Sequence, residues 1–190
     1  MKRVPIDREE FHELPIKANN NKRMKTLITY CTTHGCTEKT ATELKQFFGG
    51  EVLLINLKKE TAPDLTSFDR IIVGGSIHAG QIQKKVKEFC NEHYETLKNK
   101  ELGLFICCME EGEKAEIQLN DAFPTGLIKS AKATACLGGE FDFNKMNFFQ
   151  KLIVKKVAKV ENSVSRFNHD AIKRFSQQMN TIFNPFLFFV

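Results

Sequence analysis

The residues best suited to chemistry lie between Leu27 and Ala41. An apolar, β-compatible run from Leu27 to Tyr30 breaks into Thr32, Thr33, His34, Gly35, Cys36 and Thr37, and a helical pattern opens at Thr37. The first N–H groups of a helix lack intrahelical partners and lie at the positive end of its dipole. These six residues could therefore close around an anion, with Gly35 permitting close backbone approach. The stretch reads as a mononucleotide phosphate site. The alternative is an ordinary strand-to-helix turn whose threonines merely cap the helix. Neither Gly-Lys-Ser/Thr nor Gly-x-Gly-x-x-Gly occurs here, so ATP and dinucleotides are disfavoured as primary ligands.

Two further loops carry residues of interest. After Ile71 to Val73 comes Gly74 followed by Gly75, Ser76, Ile77, His78, Ala79 and Gly80, a turn with three glycines against whose backbone a flat ring could lie. His78 is the first bulky polar side chain in it, suited to contact a ring or a substrate, or else to face solvent as an ordinary loop histidine. After the apolar run from Leu102 comes Cys108, Met109, Glu110 and Glu111, a loop without an aromatic residue. Adjacent Cys107 and Cys108 should point to opposite faces of a strand and pack in the core rather than bridge. No metal-type Cys-x-x-Cys pair is present, and no catalytic side chain is assigned.

Positioning these loops requires a regular alternation. The spacing predicts strands at 25–31, 51–56, 69–75, 102–108 and 132–138. Helices are expected at 36–48, 80–98, 114–122, 146–160 and 168–180, the first stopping at Gly49-Gly50. Strand and helix alternating five times imply a parallel α/β sheet with helices on both faces and a crevice beyond the carboxyl ends of its strands. Residues 1–23 read as an extension outside a domain at 24–180, and 181–190 as an apolar tail without an assigned role.

Length and charge narrow the classes. A chain of 190 residues fits one domain, and a net charge of +5 favours anionic substrates or surfaces. An RRM core, paired zinc ligands and a helix-turn-helix pattern are all missing, so nucleic acid is not expected as a partner. Of six cysteines, Cys31, Cys107, Cys108 and Cys136 sit in apolar strand-like runs where free thiols behave as small hydrophobes, which suits a reducing, cytoplasmic setting. No apolar stretch approaches the roughly 20 residues of a membrane span, and residues 1–23, with six basic and four acidic residues, do not resemble a cleavable signal. At 145–160, Phe149, Ile153, Val157 and Val160 would line one side of a helix beside Lys151, Lys155 and Lys159. Such a helix is either a core helix with a solvated lysine face or a peripheral contact to the inner face of an anionic membrane.

Tyr30, Thr32, Gly35, Thr37 and Ala41 match the flavodoxin signature, from which Thr29 departs where an apolar residue is usual. The resemblance implies a flavodoxin-like three-layer sandwich with a five-stranded parallel sheet in the order 2-1-3-4-5. It also implies FMN as cofactor, with phosphate in the first loop and the flavin ring at the second and third. Without tryptophan and with two tyrosines, the usual aromatic sandwich is lacking, and one ring face should be exposed. Asp69 to Gly80 and Leu137 to Ile153 resemble the flavodoxin-like protoporphyrinogen oxidases, the menaquinone-dependent protoporphyrinogen IX dehydrogenases. That likeness implies an oxidoreductase of heme biosynthesis passing electrons from a reduced, anionic tetrapyrrole through FMN to a quinone or other acceptor. The alternatives are a flavodoxin carrying electrons between proteins, which the basic charge opposes, and a scaffold without cofactor.

Overall fold

The computed structural model describes residues 23–141 and 164–181. The expected helix at 146–160, the extension at 1–23 apart from Arg23, and the tail at 181–190 apart from Thr181 lie outside them.

A central parallel sheet organises the chain. Strands β1 (Lys25–Cys31), β2 (Glu51–Asn56), β3 (Arg70–His78), β5 (Glu101–Cys107) and β6 (Ala133–Cys136) pair in the order β2-β1-β3-β5-β6. This is the expected 2-1-3-4-5 order once a short extra strand, β4 (Gln81–Ile82), is counted. β1 is flanked on both sides and buried on both faces from Thr26 onward, so Leu27, Ile28, Tyr30 and Cys31 are all enclosed, and with them the threonines Thr26 and Thr29.

The twofold alternation of side chains along the strands creates two cores. Leu27, Ile71, Val73, Leu102, Leu104 and Ile106 face one layer, formed by α2 (Lys84–Glu92), α3 (Tyr94–Lys98), α4 (Glu113–Ala122) and α5 (Thr125–Ser130). Ile28, Tyr30, Ile72 and Phe105 face the other, formed by α1 (Cys36–Lys45) and α6 (His169–Asn180). Cys107 and Cys108 fall into opposite cores, as the strand periodicity requires. Gly74 makes the close packing possible, because a Cβ there would overlap the Phe105 ring.

Several elements differ from the sequence reading. β3 runs past the expected end at 75 to His78, and Ala79 (φ 49°) and Gly80 (φ 78°) form a two-residue hairpin back into β4. Two consecutive positive φ values match the twist of the flanking strands, the geometry preferred in such hairpins. The helix expected at 80–98 instead starts at Lys84 and breaks at His93 into α2 and α3. α5 and an antiparallel ribbon of β7 (Glu140–Phe141) with β8 (Val164–Ser165) are additional.

The amino end of the sheet is closed by charge. Buried Arg70 donates to Glu101 Oε2 (2.9 Å), Asn180 Oδ1 (3.0 Å) and the Met179 carbonyl (2.9 Å), and lies over the Phe48 ring. Every partner is satisfied, so the cluster ties β3 and β5 to the end of α6. The broad hollow there, about 990 Å3 and lined by Arg70, Glu101, Lys132 and Asn180, lies at the end of the sheet remote from the three loops.

Candidate cofactor site

Strand register brings the loops level. Cys31 pairs with Gly75, and Ser76 with Cys107, so the first, second and third loops leave neighbouring parallel strands at the carboxyl edge. In open α/β sheets ligands bind at that edge, where strand order reverses.

The first loop has the form of an anion site. Gly35 adopts the left-handed conformation (φ 93°) at the N-cap of α1, and its N–H donates to Thr32 Oγ1 at 3.0 Å. The first intrahelical bond runs from Lys39 N–H to the Gly35 carbonyl, leaving the amides of Cys36, Thr37 and Glu38 in the unpaired first turn. Thr37 is fully buried, and among the described residues its hydroxyl has no hydrogen-bond partner, although the Cys107 thiol is close enough to feel it. A buried hydroxyl without a partner costs stability unless a ligand completes it. Thr33 is exposed and His34 half-buried at the mouth. The Cys36 thiol is lowered from its ordinary range chiefly by its hydrogen bond with Cys107, against the opposing effect of burial.

In the second loop, Gln83 fixes the backbone. Its Oε1 accepts from Ser76 N–H at 2.7 Å while its Nε2 donates to Ser76 Oγ at 2.6 Å, and Ser76 Oγ lies 3.1 Å from His78 Nε2. His78 faces His34 across the cleft, with ring centroids 6.1 Å apart, so the first two loops meet through their imidazoles. The outer edge of His78 is exposed, yet the atoms around it desolvate the ring. That desolvation, followed by the electrostatic effect of neighbouring His34 and Lys58, pushes its pKa below the usual histidine value. Ile77 is half-buried, and Ala79 and Gly80 are exposed at the hairpin tip.

The third loop is held from α6's side. Arg166 donates to the Met109 carbonyl at 3.1 Å and to Glu111 Oε1 at 3.3 Å. Cys108 is buried, Met109 half-buried, and Glu110 and Glu111 exposed. A Cβ on Gly80 or Gly112 would meet nothing within 4 Å, so neither loop tip is packed against its neighbours. Exposed Lys58, at the end of β2, and Lys85, on α2, act electrostatically on Cys31. Sequence reasoning missed both lysines and Arg166, because each reaches the loops from another element, and Gln83, because the β4 hairpin that turns it back onto Ser76 was not expected. Among the described residues no cluster of three or more metal-ligating side chains occurs.

The arrangement is that of a doubly wound α/β protein with an anion-binding elbow after its first strand. The chain belongs to the flavodoxin domain family, whose model matches residues 27–166. It is 24% identical over 146 residues to protoporphyrinogen IX dehydrogenase [quinone] of Escherichia coli K12, covering 72% of this chain and 80% of that one. Weaker likenesses of shape link it to the two-electron reduced flavodoxin of Megasphaera elsdenii (16% identity, TM-score 0.46, 81% and 97% of the two chains). Another is a flavoprotein in complex with FMN from Lactobacillus acidophilus (18% identity, TM-score 0.40, 61% and 91%). Neither likeness is close enough to bear on function. The FMN expected from the signature agrees with the family, and the unpaired Thr37 hydroxyl and first-turn amides suit its phosphate.

Proposed function

We propose that the chain holds FMN with the phosphate at Thr32 to Thr37 and the ring against Gly75 to Gly80 and Cys108 to Glu111. In this reading it is an oxidoreductase of the protoporphyrinogen IX dehydrogenase type. It takes electrons from a reduced tetrapyrrole and delivers them to a quinone or another acceptor. The observation that carries the reading is the elbow, where a left-handed glycine, a Thr32 hydroxyl held by the Gly35 amide and a buried Thr37 hydroxyl with no partner among the described residues lie at the first turn of α1. The Escherichia coli relative supports the substrate class.

Bound FMN supplies hydride and electron transfer at its ring. The chain's residues bind and orient. Thr32 locks the Gly35 amide, and Gln83 and Ser76 hold the second loop rigid and steady the His78 imidazole. Lowered basicity keeps that imidazole neutral near pH 7, so it can donate or accept without adding charge to the cleft. Lys58 and Lys85 offer positive charge near the mouth, suited to substrate carboxylates. A quinone acceptor would be met at an anionic membrane surface, to which a chain of charge +5 is attracted.

The test is anaerobic mixing of FMN-loaded protein with protoporphyrinogen. Flavin bleaching faster than the uncatalysed reaction is expected, and no acceleration rejects this substrate while leaving FMN binding intact.

A further inference from the structure

The cysteines of this chain have unlike surroundings. Cys90 is enclosed in the core, and burial pushes its thiol up to about 12. Cys107 lies under α1, 3.4 Å from Thr40 Oγ1, and is hydrogen-bonded to Cys36 in the buried core. Cys108 and Cys136 differ from both, because their sulphurs approach to 3.0 Å. That separation is inside ordinary non-bonded contact and about 1 Å longer than a disulfide bond.

The strands explain the approach. Ile106 of β5 pairs with Cys136 of β6, and Cys108 follows two positions later, where the side-chain period of two returns it to the same face. Gly112 and Gly138, both at positive φ, let the two segments turn beyond the cysteines. A cavity of about 190 Å3 opens beside the pair, lined by Cys108, Cys136, Met109, Glu111, Gly138 and Arg166. Cys108 is buried but Cys136 is partly exposed, so a small reagent meets Cys136 first.

The pair is also polarised. The hydrogen bond with Cys108, followed by backbone N–H groups of Gly138 and Cys108, holds the Cys136 thiol below its ordinary range against burial and Glu111. Cys108 is correspondingly raised. A thiolate beside a thiol that can resolve its mixed disulfide is the arrangement that exchange requires.

We propose that Cys108 and Cys136 form a two-electron dithiol–disulfide couple that exchanges with low-molecular-weight disulfides, Cys136 attacking and Cys108 resolving. The Cys136 thiolate bonds to one sulphur of the disulfide RSSR, whose S–S bond breaks to release RS⁻. Cys108 then gives its proton to that RS⁻ and attacks the Cys136 sulphur, expelling the second RS⁻. The two cysteines are oxidised by two electrons, and RSSR is reduced to RSH and RS⁻. The new bond ties the loop after β5 to the end of β6. The exchange itself requires no flavin.

The test incubates the reduced full-length chain with glutathione disulfide, quenches it in acid, alkylates it after denaturation and maps the peptides without reduction. A Cys108–Cys136 cross-link with loss of two hydrogens is expected, with Cys31 and Cys90 alkylated. Cys108→Ser should stop at a glutathione adduct on Cys136, and Cys136→Ser should lose adduct formation by roughly tenfold or more in rate, as the thiolate fraction falls. The proposal is overturned by no cross-link, by a cross-link between any other pair, by an unresolved adduct on the native sequence, or by Cys136→Ser reacting as fast as the parent. Should either variant fail to fold, the map of the native sequence decides alone.

Discussion

Replacing Thr37 by valine should move ligand affinity and apo stability in opposite directions. The side chain is fully buried and its hydroxyl has no partner among the described residues, so the isosteric valine leaves the shape of the elbow intact. In the free protein the change removes a desolvated polar atom, for a gain of about 1–2 kcal/mol. In the complex it removes a hydrogen bond to a charged phosphate, worth about 1.5–3 kcal/mol, which weakens FMN binding by roughly 10- to 150-fold. Quenching of FMN fluorescence reads the affinity, and urea unfolding of the apoprotein reads the stability. An unchanged affinity with a more stable apoprotein would mean that Thr37 is core packing and that the anion site lies elsewhere.

Other perturbations follow from the same geometry. Gly74→Ala drives a methyl group into the Phe105 ring and should destabilise by about 3 kcal/mol, seen as a lower urea midpoint; a midpoint unchanged from the parent contradicts the packing. Thr29→Val, at a buried strand position whose hydroxyl likewise has no partner among the described residues, should stabilise by about 1 kcal/mol, seen as a higher urea midpoint, without touching FMN affinity. His78 has a folded pKa below its unfolded value of 6.5, so the unfolded chain binds its proton first as the pH falls. Stability should therefore drop as pH descends through 6.5, and His78→Gln should flatten that part of the profile; an identical profile contradicts the assignment.

The sequence carried the sheet because its strands are buried on both faces: Leu27 to Tyr30, Ile71 to Val73 and Leu102 to Cys107 are apolar runs too long and too β-branched or leucine-rich to be loops. Strand order came with the flavodoxin resemblance, and the pairing reproduces it. The hairpin after β3 was hidden because its first turn residue is alanine, which seldom takes positive φ, in place of the asparagine or glycine that marks such turns. The break at His93 was hidden because α2 and α3 keep their apolar residues on the same side, so the periodicity runs straight through. In the site, the threonines and glycines of the first loop were readable as a contiguous pattern. Gln83 on Ser76, Arg166 on Met109 and the pairing of Cys108 with Cys136 were not, since each joins residues brought together by β4, α6's approach or strand register.

FMN binding in this chain is expected to depend on phosphate recognition at the elbow after the first strand. The most direct measurement compares the affinities of the apoprotein for FMN and for riboflavin, which differ only in that group. Two or three charge-assisted hydrogen bonds from Thr37 and the amides of α1 predict a preference for FMN of roughly 100-fold or more. Equal affinities, or no binding of either, would contradict it.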